Sequence, residues 1–278
     1  MKTQSELIGN HPSHPNSFNR WLLCNDVTRT PTKCHRSLTE IVPCSDSELI
    51  EWLAKKLIDH HYSDFRLRKL KEKYKELGFP QYAEQHRKLP IADKTRKGNA
   101  IEILLTEYVE GCLDKKLVKV FKLKYNPNVD QAIKGDDTLM VDIIKDKDKE
   151  QIRLYLGEAK FRKKVDKNVV KVIGQSLAKD KKPISYSFLV DELAKNSDTE
   201  YLAEILDKYI VDDIKGKGDL IYTGFLLSDT DTHAKVEAHL ESDNPELVFI
   251  SVGIDNPEDL VIKAFEKAEE YVLNPAVL

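Results

Sequence analysis

The sequence predicts an α/β protein in which three short strands form a meander flanked by helices. Three observations lead there. Residues 45–58 and 99–112 repeat apolar side chains at helical spacing. Three runs rich in apolar and β-branched residues, 117–125, 138–144 and 152–161, then follow with no helical pattern between them. Helical spacing returns at 166–179, and helices and strands mix from there to the end.

The elements follow in order. The first 45 residues, rich in Pro, His, Asn, Ser and Thr, read as irregular structure or short strands. Ser45 or Asp46 can cap a helix whose stripe is Leu49, Ile50, Leu53, Leu57 and Ile58. Ser63 can cap a second helix through Leu67, Leu70 and Tyr74, ended by Gly78 and Pro80. A polar, basic stretch runs to Gly98. The next helix, 99–112, carries Ile101, Leu104, Leu105, Tyr108 and Val109. After the meander, the helix at 166–179 buries Val169, Val170, Val172, Ile173 and Leu177. Residues 184–193 fit strand or helix and are read as helix, and 200–210 as helix. Strands follow at 220–227 and 247–254, and Pro257 opens a closing amphipathic helix to residue 272.

Composition narrows the function classes. Hydrophobic residues are 41% of the 278 and charged residues 33%, with 11 Gly and 11 Pro, which excludes a disordered, collagen-like or low-complexity chain. No window approaches the roughly 18 apolar residues of a membrane span. Nothing apolar follows Met1–Glu6 as a secretory signal requires, so a soluble cytoplasmic protein with Cys24, Cys34, Cys44 and Cys112 reduced is expected. The net charge of −3 conceals an asymmetry. Residues 63–97 hold eleven Lys/Arg against five Asp/Glu, and residues 160–182 nine against two. Residues 189–278 hold seven against 21. Such blocks fit a basic face for a polyanion, with an acidic region elsewhere.

The charge has a site to go with it. Glu158 and Lys160 stand two apart on an apolar strand, so both side chains leave by one face and Ala159 by the other. Asp137 follows a Gly135-Asp136 turn signal at the mouth of the preceding strand, which a meander lays beside the third. An acidic residue two before a lysine recurs at Asp114/Lys116, Asp180/Lys182 and Asp213/Lys215, but Glu158/Lys160 alone closes an apolar strand-like run, Leu-Tyr-Leu-Gly. Two carboxylates and an ammonium converging there suit Mg²⁺, with one or two protein carboxylates beside a substrate phosphate. Lys160 is then placed to position the attacking water or offset charge on the phosphate. Glu102, on the preceding helix face with Ile101, Leu105 and Val109, is an additional carboxylate ligand. Gln175, between Gly174 and Ser176 on the following helix, is an accessory candidate for phosphate.

These residues resemble the PD-(D/E)xK nuclease superfamily: Glu102 on a helix, Asp137 before a strand, and Gly157-Glu158-Ala159-Lys160-Phe161. More narrowly, Lys97-Gly98-Asn99-Ala100-Ile101-Glu102, Gly135-Asp136-Asp137 and Gly157-Glu158-Ala159-Lys160 are similar to the nuclease subunit of Hachiman antiphage systems, which partners a helicase. The resemblance implies a restriction-endonuclease-like core, α-β-β-β-α-β, with a mainly helical N-terminal extension and C-terminal α/β additions. Residues 1–95 would form the extension, irregular then helical and basic, and 96–278 the nuclease domain with its acidic additions. The superfamily match covers residues 97–180 and the narrower one extends over more of the chain. Two departures stand out. The motif's proline is missing, so Asp136 and Asp137 compete as ligand; Asp137 is favoured because it adjoins the strand and shares parity with Leu139 and Val141. Four residues after Gln175 stands Lys179, where some relatives carry Tyr.

The expected function is therefore Mg²⁺-dependent hydrolysis of DNA, Mn²⁺ substituting, in antiphage defence. Asp137, Glu158 and Glu102 hold the metal, Lys160 assists the water, and Arg66, Arg68, Lys69, Lys163, Lys164 and Lys167 take the DNA backbone. No Gly-rich phosphate loop occurs, Gly216-x-Gly218 being too short, so any motor activity comes from the helicase. The rivals are a catalytically silent adaptor bridging DNA and a partner protein, and a restriction or repair nuclease without a helicase. Cys24, Cys34, His35 and Cys44 lack C-x-x-C spacing for zinc.

Overall fold

The computed structural model describes residues 1–74, 76, 78–119, 122–126, 128–131, 137–146, 149–178, 186–197, 199–207 and 220–274. Short helices α1 (Gln4–Ile8) and α2 (Ser17–Trp21) lead into strands β1 (Leu22–Asp26) and β2 (His35–Glu40). Helices α3 (Ser47–His61), α4 (Asp64–Lys73), α5 (Phe79–Gln85) and α6 (Asp93–Leu113) follow. The meander is β3 (Val118–Lys119), β4 (Thr138–Asp146) and β5 (Lys149–Phe161). Next come α7 (Lys167–Ser176), α8 (Tyr186–Leu193), α9 (Glu200–Asp207), β6 (Leu220–Ser228), α10 (Thr232–His239), β7 (Leu247–Gly253) and α11 (Pro257–Leu273). All the named strands join one sheet in the order β1-β2-β7-β6-β5-β4-β3. The meander pairs antiparallel, as expected, while β5, β6, β7 and β2 run parallel and β1 returns antiparallel to β2.

Helices cover both faces of the sheet. Tyr155, Ala159, Ile221, Phe225, Val248 and Ile250 pack with α3, α6 and α11, whereas Leu154, Leu156, Tyr222, Leu226, Leu247 and Phe249 pack with α7, α9 and α10. A parallel strand buried on both sides has no polar face, which is why β6 and β7 are apolar almost throughout and buried at every position. The acidic C-terminal part is therefore built into the centre of the sheet, and α11 lies on α3 and α6.

Several local expectations change. The strand read at 117–125 is only Val118–Lys119, and Lys122–Tyr125 instead form a 3-10 turn. Helix α6 starts at Asp93 and runs through Gly98, which the sequence pattern marks as a boundary. The reason is a distant cap: Asp130 accepts the backbone N–H of Ile91 (2.5 Å) and Ala92 (3.1 Å), and its carbonyl accepts Thr95 Oγ1 (2.9 Å). Gly78 and Pro80 open α5 rather than merely closing α4, with Gly78 in the left-handed region at φ 97°. Helix α10 escapes sequence reading because it buries little beyond Thr232 and Val236, too few residues to set a period. Asp46, Ser63 and Asp166 cap α3, α4 and α7; Ser63 is as expected, and of the two candidates Ser45 and Asp46 it is Asp46 that caps.

Candidate active site

Pairing of β4 with β5 begins at Thr138–Gly157, so Asp137, Glu158, Ala159 and Lys160 stand past the end of β4. Ala159 has no β4 neighbour there, and its N–H donates instead to Asp137 Oδ2 at 2.8 Å. The aspartate is thereby held across from the two residues that flank Ala159. Lys160 Nζ lies 2.5 Å from Glu158 Oε1 and 3.2 Å from Asp137 Oδ2. The alternation along β5 that the sequence predicts places Glu158 and Lys160 on one side, in parity with Leu154 and Leu156 on the α7 face. Gly157 leaves no room for a side chain: a Cβ there would sit 2.0 Å from Thr138 Oγ1 and 2.6 Å from Leu105 on α6.

Glu102 approaches from α6, between buried Ile101 and Ile103. Its Oε2 accepts Lys122 Nζ at 2.9 Å. Burial pushes the Glu102 carboxyl up to about 7; Lys122 pulls it down, Asp137 pushes it further up, and Lys160 again lowers it. Lys160 bridges Asp137 and Glu158, and the charges of Asp137 and Lys160 are felt at Glu102 on α6. Burial also weighs against the charge on Lys160, but the two carboxylates outweigh it and hold its pKa above the ordinary lysine value. Among the described residues, no three His, Cys, Asp or Glu side chains form a ready-made metal cluster. The donors are nevertheless all carboxylate oxygens, two of them drawn onto one cation, the lysine, and this set suits a hard divalent ion that keeps its own waters.

The remaining expected residues are more dispersed. Asp136 and Lys179 lie outside the described residues, as do Gly135, Gly216 and Gly218. Gln175 is exposed near the end of α7, beside Thr32 and Glu241–Asp243, and is not brought to the carboxylates. Lys163, Lys164 and Lys167 are exposed on the segment that leaves Lys160 and opens α7. Lys163 is paired with Glu258 at 2.7 Å, and Glu258 also takes Lys97 at 2.7 Å. Arg66, Arg68 and Lys69 sit on α4: Arg66 donates to Tyr82 Oη (3.0 Å), while Arg68 and Lys69 lie over the exposed Phe65 ring at 5.7 and 5.9 Å. Lys122, the partner of Glu102, is a residue that sequence reasoning misses, because the run around it looks like strand.

A second constellation has catalytic geometry but no access. Ser251 Oγ lies 2.8 Å from His35 Nε2, and His35 Nδ1 meets Glu237. That is the order of a serine hydrolase triad. Yet His35 and Ser251 are each 1% exposed, so no substrate reaches the hydroxyl. The chain of hydrogen bonds ties β2 to β7 and α10.

Fold and site together define an α/β protein whose mixed sheet ends in a carboxylate–lysine cluster between two helical layers. The HamA family model matches residues 16–268. The Hachiman protein HamA of Bacillus cereus is 36% identical over 279 residues, covering 98% of each chain. The chain belongs to the HamA family, and this membership supports a role in antiphage defence.

Proposed function

We propose that the protein is a Mg²⁺-dependent DNA nuclease of a Hachiman antiphage system, working with a helicase partner that restrains it. The observation that carries this reading is the meeting of Asp137, Glu158 and Lys160 past the end of β4, with Glu102 near them from α6. Asp137 and Glu158 would hold the ion, Glu102 serving as a further ligand. Bound there, Mg²⁺, or Mn²⁺ in its place, polarises a phosphodiester and lowers the pKa of a water. The chain's own contribution is placement. The Ala159 N–H fixes the direction of Asp137. Lys160, within 3.2 Å of both carboxylates, stands where it can orient the attacking water and offset charge growing on the phosphate. Lys163, Lys164 and Lys167 continue from the site as exposed cations for the DNA backbone, and Arg66, Arg68 and Lys69 add a second basic surface.

The test is Mg²⁺-dependent cleavage of supercoiled and linear DNA, with and without the helicase, by the natural protein and by Glu158→Ala and Lys160→Ala. Each substitution should slow cleavage on the order of 10²–10³-fold. Cleavage that survives both substitutions unchanged places the chemistry elsewhere. Absence of cleavage by the natural protein even with the helicase favours the silent adaptor.

A further inference from the structure

We propose that Lys122 is a second lysine of this site, a positioning residue that holds Glu102 in place as a ligand. The inference rests on the nuclease reading for the purpose of the site, and on the geometry of this chain for the role. Lys122 opens the 3-10 turn between β3 and β4, fifteen positions before Asp137. Its Nζ lies 2.9 Å from Glu102 Oε2, and the two side chains are 18% and 19% exposed, so water screens the pair only weakly.

The physical need for it is clear from the surroundings. Glu102 feels the negative charge of Asp137, and the nearest cation on β5, Lys160, already bridges Asp137 and Glu158. A glutamate has three rotatable bonds, and a fixed partner selects which of its staggered rotamers is held. Lys122 supplies that partner from the side of the 3-10 turn. The same pair fastens this turn, which leads toward β4, to α6. Each lysine thus governs a different part of the cluster: Lys160 joins the two residues on the strands, and Lys122 sets the one on the helix. Lys122 acts on the ion through Glu102, in the way that outer groups commonly orient metal ligands.

The experiment is a double-mutant cycle read by Mn²⁺ binding, with free Mn²⁺ followed by its paramagnetic resonance signal, on the full chain. Lys122→Met should weaken Mn²⁺ binding about 10-fold. Lys122→Arg, which keeps the charge, should recover most of the loss, and metal-free DNA affinity should not change. In a Glu102→Gln background, Lys122→Met should add nothing further, because the residue through which it acts is gone. If Lys122→Met binds Mn²⁺ as tightly as the natural protein, or its loss multiplies with that of Glu102→Gln, the positioning role is wrong and the nuclease reading stands. If the natural protein binds no Mn²⁺ and Glu158→Ala alters nothing, the metal-dependent reading falls and this role with it.

Discussion

His61 shows how one buried side chain sets a property of the whole protein. Its Nδ1–H donates to the Leu57 carbonyl (2.7 Å), and its Nε2 accepts Asn99 Nδ2 (2.9 Å), so the ring is held neutral. Burial is the main reason that its pKa falls to about 4, with His60 adding to the fall and the Leu57 bond opposing it. Unfolded, the ring titrates near 6.5. The unfolded chain therefore takes up the proton first as the pH drops, and stability is complete above about 6.5 and lost progressively down to about 4. The loss over that window is about 3 kcal/mol. Urea unfolding across this range should show the decline, and His61→Gln should flatten it by a comparable amount. Equal slopes in both proteins would show that His61 is not the titrating group. At the same scale Arg36, fully buried, depends on a two-pronged bond to Asp26 at 2.6 and 2.7 Å, a partner that no local pattern links to it.

At the scale of elements, the packing of β5 against β4 and α6 depends on Gly157. Replacement by alanine would drive a methyl into Thr138 Oγ1 and Leu105. The expected cost is about 1–3 kcal/mol, or a fall in melting temperature of roughly 2–4 °C per kcal/mol for a chain of this size. Thr138→Ala in the same protein should return part of it, since Thr138 Oγ1 is the nearer obstacle and has no hydrogen-bond partner among the described residues. A Gly157→Ala protein as stable as the natural one would mean that the strands shift freely, and with them Glu158 and Asp137. The two-residue β3 is held in another way. Glu110, buried at the end of α6, accepts the Leu117 N–H at 2.8 Å and pairs with Lys116 at 3.2 Å and Lys119 at 2.6 Å. Side-chain charge there anchors the short strand to the end of α6.

Over the whole molecule, the charge blocks read from the sequence fall on surfaces of different kinds. The basic residues of α4 and of the segment after β5 are largely exposed, while the acidic C-terminal third supplies two central strands and a core helix. Deleting that third would therefore remove the centre of the sheet. If the basic residues hold DNA, the affinity should fall linearly with the logarithm of salt. Replacing Arg66, Arg68 and Lys69 by alanine should lower the slope by up to about three, one for each phosphate no longer neutralised. A slope unchanged by the triple substitution would move the DNA to another face. Measuring binding across salt concentrations decides between these outcomes.

The antiparallel meander, the caps at Asp46 and Ser63, and the placing of Glu158 and Lys160 on one side of a strand were all legible in the sequence. The caps and the alternation depend on residues within one or two turns of chain, where periodicity and capping act directly, and the meander on strands that follow one another in sequence. The joining of β1 and β2 to β7, the start of α6 under a cap from Asp130, and the approach of Lys122 to Glu102 were not. These pairings span between about 20 and 215 positions of sequence and form only because burying two apolar faces of one sheet brings distant segments together. The sequence by itself determined that Glu158 and Lys160 leave β5 by one side, at the end of an apolar run. Tertiary structure alone decided that Lys122 meets Glu102, because a buried charge takes whatever partner the packing brings within reach.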